Sequence, residues 1–196
     1  MQLKDRVAIV TGGATGIGRA IAEKLGGQGA SVVVADLNAD AAQKTAADLN
    51  GSGIAAIATA TYVTDRAATD RMVESAVSRF GKIDILVNNA GIAGAPGWQM
   101  RSESTEEDWV RTYKVNVLGA ANAANSVIPH MKVAKSGKII NIASVAGREG
   151  RPSLPHYSAS KAAVISYTQS LANELAKFNI NVNANCPGLL WTPMWE

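Results

Sequence analysis

The sequence predicts an α/β fold in three layers: a doubly wound parallel sheet with helices on both faces. Three observations carry this. Short apolar, β-branched runs recur along the chain with longer segments of helical spacing between them. The runs are apolar enough to be covered on both faces, as parallel strands are. The residues most suited to binding or chemistry fall at or just past the ends of these runs, where ligands of such sheets sit.

Arg6 to Thr11 reads as the first strand and Gly16 to Gly27 as the helix that follows it. Ser31 to Asp36 is the second strand, and the alanine-rich stretch after it divides into a helix over Ala39 to Asn50 and a strand over Ile54 to Ala60. A helix over Asp65 to Phe80 has Asp65 as its natural start, and Ile83 to Asn88 is the fourth strand. Ser104-Thr105 ahead of Glu106-Glu107 opens one long helix expected to run to Met131. Lys138 to Ala143, a helix over Ser158 to Phe178 and a sixth strand over Asn181 to Cys186 complete the pattern.

No linker or charge block divides the chain, so residues 1–196 are expected to form one domain. Its 19 basic and 16 acidic residues are scattered, and the net charge of +3 implies neither nucleic acid nor a membrane surface as partner. The single cysteine, Cys186, excludes an internal disulfide; there is no secretory signal pattern and no apolar run long enough to span a bilayer. A soluble cytoplasmic protein without a metal is the expectation. The sequence stops soon after the sixth strand, at Trp-Thr-Pro-Met-Trp-Glu, which is expected to leave an open strand edge. Because such edges invite aggregation, the sequence is expected to be part of a longer chain.

The first turn, Thr11-Gly-Gly-Ala-Thr-Gly-Ile-Gly18, combines the conformational freedom of Gly12, Gly16 and Gly18 with a helix N-terminus, which offers free N–H groups to phosphate. By itself it serves equally well as a structural turn. Asp36 sharpens the reading, because a carboxylate ending the second strand can accept hydrogen bonds from adenosine ribose hydroxyls and repel a 2′-phosphate. Neither Leu37 nor Asn38 offsets its charge, so NAD is expected over NADP; the plain alternative for Asp36 is a helix N-cap. Tyr157 and Lys161, four residues apart, share a helix face if Tyr157 begins a helix, and a nearby ammonium favours the phenolate. That pair suits proton exchange with an alcohol or carbonyl, although Tyr and Lys at this spacing are also ordinary helix neighbours.

Taken with Asn88-Asn-Ala-Gly91, Ser144 and Pro187-Gly188, these motifs in this order resemble the short-chain dehydrogenase/reductase family over essentially the whole chain. The resemblance implies a Rossmann-type sheet, usually of seven strands, of which six are visible here. It further implies Tyr157 as catalytic acid/base and Ser144 as the hydroxyl that bonds the substrate oxygen. Lys161 would hold the nicotinamide ribose and lower the Tyr157 pKa, and Asn116 would support a proton-relay water. Cofactor contacts are implied for Gly12, Thr15, Gly16, Ile17, Gly18, Asp36, Leu37, Val63, Asn89, Ala90, Gly91, Tyr157, Lys161, Pro187, Gly188, Leu190 and Thr192, with Thr192 a partner for the carboxamide. Tyr62 stands where many members carry an aspartate against the adenine, leaving the Val63 backbone for that contact. The members' habit of forming dimers or tetramers, through helices equivalent to 105–131 and 158–178, implies a homo-oligomer.

Each residue keeps a plainer reading: Asn88 and Asn89 as a strand-end turn, Asn116 as a helix-interior polar group, Ser144 as an N-cap. Trp98, Gln99, Ala146, Leu154, His156, Trp191 and Met194 are placed near the substrate, with packing an equal alternative for the aromatic and Met residues. His156 is expected at the surface or behind the site, and Arg148 and Arg151 as solvated loop charges. The end Cys186-Pro-Gly-Leu-Leu-Trp-Thr-Pro-Met-Trp195 resembles that of sorbitol and butanediol/acetoin dehydrogenases. The expected reaction is hydride exchange between NAD(H) and a secondary alcohol or ketone. The alternatives are an NAD(P)H-dependent ketoacyl-thioester reductase and a non-catalytic NAD-binding sensor or scaffold.

Overall fold

The computed structural model of the protein describes residues 1–190 and 192. Six strands, β1 (Val7–Thr11), β2 (Ser31–Asp36), β3 (Ala56–Ala60), β4 (Ile85–Asn88), β5 (Gly137–Ile142) and β6 (Ile180–Asn185), form one sheet in the order β3-β2-β1-β4-β5-β6. Every pairing is parallel. The helices are α1 (Gly16–Gly27), α2 (Ala39–Gly51), α3 (Arg66–Phe80), α4 (Glu106–Tyr113), α5 (Gly119–Ala134), α6 (Ala146–Glu149) and α7 (Pro155–Leu175). The strand order reverses between β1 and β4, which opens a crevice at their carboxyl ends.

Successive strand residues point to opposite faces and both faces are apolar, so each strand feeds two cores. Ile9, Val33, Leu86 and Ile139 pack with Met72 and Val73 of α3, Val127 and Met131 of α5, and Leu171 and Leu175 of α7. On the other face Ala8, Val10, Val32, Val34 and Val87 meet Ala22 of α1 and Ala42, Ala46 and Leu49 of α2. The two-sided cover expected for every strand fails at β6. Ile180 and Val182 are buried, whereas Asn181, Asn183 and Asn185 are exposed, because the described helices on that face stand over β1 to β3.

The long helix expected over residues 105–131 is divided. Thr105 caps α4 through a reciprocal box with Asp108, and after Tyr113 the chain passes through a π-helical turn, Lys114–Leu118, before α5. Gly119 lets this junction close on the β3–α3 connection, since a Cβ there would come within 2.6 Å of Val63 Cγ2. π-Turns insert one residue into a helical path and re-aim the side chains they carry. Here the buried side chain is Asn116. The last helix starts earlier than expected, with Pro155 in its first turn, so Tyr157 lies inside the helix rather than at its start.

Candidate active site

The glycine turn is built for close approach. Gly12 has φ of 60° and would place a Cβ 3.0 Å from Ala90 Cα; at Gly18 a Cβ would fall onto Gly12 O and Asn89 Nδ2. Asn89 Nδ2 donates to Thr11 O and Gly12 O, and Thr11 Oγ1 accepts from the backbone N–H groups of Asn89 and Ala90. The ends of β1 and β4 are thereby tied. Among the described residues no side chain caps the start of α1, and no acidic residue lies in its first turn, so its N–H groups face the crevice with their positive potential. Asp36 stands beside this turn, its two oxygens accepting from Ala14 N (3.1 Å) and Asn38 N (3.0 Å). A carboxylate has about four acceptor positions, so two remain for ribose hydroxyls. The N-cap alternative for Asp36 falls to Asn38, which accepts from Ala41 N.

A groove of about 690 Å³ runs from Asp36 and Leu37 past Gly12, Thr15, Gly16 and Ile17, then Tyr62 and Val63, and along Asn89, Ala90 and Gly91 to Trp98, Gln99 and Thr192. Its glycine cradle, open helix start and terminal carboxylate fit a dinucleotide. Tyr62, half exposed, forms part of the wall where an aspartate was absent from the pattern. Val63 is buried and its carbonyl accepts from Asn122 Nδ2. Gly18, Pro187, Gly188 and Leu190 lie outside this wall. Gly18 acts from behind it through packing, and Pro187 O accepts from Val145 N, which holds the Pro-Gly turn beside Ser144. Trp191 and Met194 fall outside the described residues.

Past the Gly91 end of the groove the polar side chains of β5, α7 and the π-turn converge. A Cβ on Gly91 would stand 3.1 Å from Asn116 Oδ1 and 3.4 Å from Lys161 Nζ, so the absence of a side chain keeps this junction open. Ser144, Tyr157 and Lys161 are all buried. Ser144 Oγ accepts from Ala146 N (3.1 Å), closing a turn at the start of α6, whose N-cap is Val145 rather than Ser144, and its hydroxyl acts on Tyr157 in the direction that favours the phenolate. Lys161 Nζ donates to Ile142 O at 2.7 Å and lies 5.7 Å from the Tyr157 ring centroid, on the same helix face. An ammonium has three donors, leaving two for other partners. Asn116 braces the β4 loop to α7: Oδ1 accepts from Ile92 N (2.8 Å), and Nδ2 donates to Ile92 O and Ser160 Oγ (3.0 Å each). Asn88 belongs to the scaffold, donating to Ala120 O and Asn141 Oδ1.

The electrostatics differ from the expectation for Tyr157. Burial pushes its pKa up, and the Ser144 hydroxyl, which favours the phenolate, offsets only part of this. Lys161 does not bring the pKa below its ordinary value, because its ammonium is turned to Ile142 O. Burial lowers Lys161 itself to about 8.

The Tyr157 ring packs with Ala93, Ala146 and Leu154, and Trp98 leans on this cluster. Trp98 and Gln99 line the groove, and Trp98 also packs against the cluster that holds the phenol ring. The sequence reading overlooked what holds their loop. Asp108 accepts from Ala95 N (2.8 Å), Thr105 N (2.9 Å) and Arg101 Nη2 (2.5 Å), while Arg101 Nη1 donates to Pro96 O. These bonds hold the Asp108 carboxyl well below the usual carboxylate range against the opposing effect of burial. His156, expected at the surface or behind the site, is fully buried, bonded to Ala93 O and Ser104 Oγ at 2.7 Å each. The Thr105-x-x-Asp108 spacing was a visible capping signal; nothing in the sequence pointed from His156 to Ala93.

Among the described residues no helix is long and apolar enough to cross a membrane, and no group of three or more His, Cys, Asp or Glu could hold a metal. Comparison with known proteins completes the picture. The chain is 44% identical over 198 residues to the sorbitol dehydrogenase of Cereibacter sphaeroides, an alignment covering all of this chain and 75% of that protein. It is 40% identical over 199 residues to the 3-oxoacyl-acyl-carrier-protein reductase FabG of Thermotoga maritima, covering all of this chain and 78% of the reductase. The crystal structure of NAD+-bound xylitol dehydrogenase superimposes with a TM-score of 0.90 at 36% identity, over 96% of this chain and 72% of that one. These relatives, like the groove, point to a nicotinamide cofactor and a small-molecule substrate. With the short chain dehydrogenase family model matching residues 6–196, the chain belongs to that family of oxidoreductases.

Proposed function

We propose that the protein transfers hydride between NAD(H) and a secondary alcohol or ketone, with a polyol or a small hydroxyketone as the substrate class. The observation that carries this reading is the convergence of Ser144, Tyr157 and Lys161 behind Gly91, on a groove that also reaches Asp36. The bound nicotinamide supplies the hydride acceptor or donor. Tyr157 exchanges the hydroxyl proton, Ser144 donates to the developing oxyanion, and Lys161 orients the nicotinamide ribose through the donors that Ile142 O leaves free. Tyr157, with its raised pKa, needs help to ionise, and would ionise more readily beside the positive charge of an oxidised nicotinamide. Asn116 supports the proton relay by holding the Ile92 and Ser160 segments in register. Gly12, Thr15, Gly16, Ile17 and Gly18 receive the pyrophosphate, Leu37 and Val63 flank the adenosine, and Asn89, Ala90 and Gly91 flank the nicotinamide ribose. Pro187, Gly188, Leu190 and Thr192 wrap the nicotinamide. Asp36 selects NAD by accepting from the ribose and opposing a 2′-phosphate.

Sorbitol and galactitol dehydrogenases among the relatives, at 44% and 43% identity, support the polyol class. The FabG relative favours a second reading, a ketoacyl-thioester reductase using NAD(P)H. The set of Asn116, Ser144, Tyr157 and Lys161 speaks against a non-catalytic NAD sensor, which needs no acid/base. We place the protein in the cytoplasm as a homodimer or homotetramer, consistent with exposed Val110 and Leu118 along α4 and the π-turn. The test is absorbance-monitored turnover of NAD and NADP with secondary alcohols, polyols and hydroxyacyl thioesters, beside Tyr157→Phe. NAD-linked oxidation of polyols that vanishes in the variant is the expected result. Thioester turnover alone selects the second reading, and nucleotide binding without turnover on any substrate overturns both.

A further inference from the structure

His156 is the buried ionisable side chain next to Tyr157 that the reaction does not use. Carbonyl oxygens only accept, so its bond to Ala93 O fixes a proton on Nε2, and Nδ1 is left to meet the Ser104 hydroxyl. Ala93 and Ser104 are the two ends of the loop that presents Trp98 and Gln99 to the groove. The same turn of α7 carries Tyr157, whose ring packs on Ala93. Trp109 closes the outer side, its ring edge-on to the imidazole at 6.1 Å. Between the two ends the loop is pinned by Asp108 to Ala95 N and Arg101, so His156 completes a span held at both ends and in the middle.

We propose that His156 is a positioning residue for the substrate side of the active site: by tying Ala93 and Ser104 to the turn that carries Tyr157, it fixes the distance between the phenol and the Trp98 wall. The inference rests on the alcohol/ketone reading for its kinetic consequence, while the tie itself is independent of that reading. A residue that acts this way governs the fit of the alcohol and leaves the cofactor cradle, on the far side of Gly91, undisturbed.

The experiment compares His156→Leu, His156→Gln and wild type by steady-state kinetics, NADH titration, and hydrogen–deuterium exchange of backbone amides. In His156→Leu, KM for the alcohol should rise about tenfold, the effect of one lost buried hydrogen bond. NADH affinity should stay within about twofold, and exchange should accelerate in residues 93–104 while the sheet remains protected. His156→Gln, whose amide can still donate towards Ala93 O, should recover most of the KM. The proposal is overturned by an unchanged KM, by NADH affinity falling in step with KM, or by a Gln variant no better than Leu. If wild type turns over no alcohol, the functional reading fails and exchange alone decides the tie: acceleration confined to 93–104 upholds it, and unchanged or sheet-wide exchange overturns it.

Discussion

The two ends of the groove are made of different material. At the cofactor end the binding surface is mostly backbone: glycine turns, the open start of α1, and one carboxylate whose oxygens are already engaged by Ala14 N and Asn38 N. At the chemical end it is side chain, with Ser144, Tyr157, Lys161 and Asn116 buried, the first, third and fourth each held by a hydrogen-bond partner and the Tyr157 ring by packing. Backbone recognition depends on what is absent, since any Cβ at Gly18 collides with the Gly12 carbonyl and the Asn89 amide that shape the turn. Side-chain recognition depends on what is present and on its protonation state. The first end should therefore respond to volume and charge, and the second to pH and single functional groups.

The largest expected effect tests the chemical end alone. Tyr157→Phe should reduce kcat about a thousandfold, the scale of a lost general acid/base, with NADH affinity measured by fluorescence titration nearly unchanged; retained turnover would remove Tyr157 from the reaction. At the cofactor end, Gly18→Ala should weaken NADH binding by about tenfold to a hundredfold, the cost of forced overpacking. Gly27→Ala in the same helix meets nothing within 4 Å and should leave binding intact. Equal effects from the two alanines would mean that close approach at Gly18 is not what the cradle requires. Asp36→Ala should lower the preference for NAD over NADP by about tenfold in kcat/KM, the worth of a charged hydrogen bond; an unchanged ratio would place the discrimination elsewhere.

The smallest effect is one of stability. The Lys161 pKa is lowered to about 8 from 10.5 on folding, so its burial is unfavourable while it is charged, and that penalty is present in full below pH 8. Between those values the unfolded chain binds more protons at this group than the folded one, and stability rises with pH. Relative to Lys161→Met, the wild type should gain about 1 kcal/mol of unfolding free energy between pH 7 and pH 8.5. Urea titrations at pH 7 and pH 8.5 measure it, and parallel curves for the two proteins would show that Lys161 does not titrate there.

The two ends also differ in how far they could be read from sequence. The β1 turn and Asp36 are contiguous with the strands that place them, so glycine spacing and strand ends were enough to find them. All six strands and the helices α1 to α3 fall within a residue or two of the positions their periodicity predicts. The division of the 105–131 segment was not legible. Helical spacing continues smoothly through Lys114–Leu118, and the π-turn answers to the packing of Gly119 on Val63, a residue more than fifty positions away in sequence. The one-sided cover of β6 was equally hidden, because an apolar run shows that a strand is buried without showing which helices stand over it.

By itself the sequence determined the doubly wound order of elements, the glycine-rich turn after β1, and the pairing of Tyr157 with Lys161 on one helix face, since each follows from local spacing and the fixed periods of strand and helix. Tertiary structure alone decided that Lys161 turns to Ile142 O rather than to the phenol, that burial raises Tyr157, and that His156 ties Ala93 to Ser104. Desolvation and hydrogen bonding depend on which atoms meet across the core, and those meetings join residues whose separation in the chain carries no period to read.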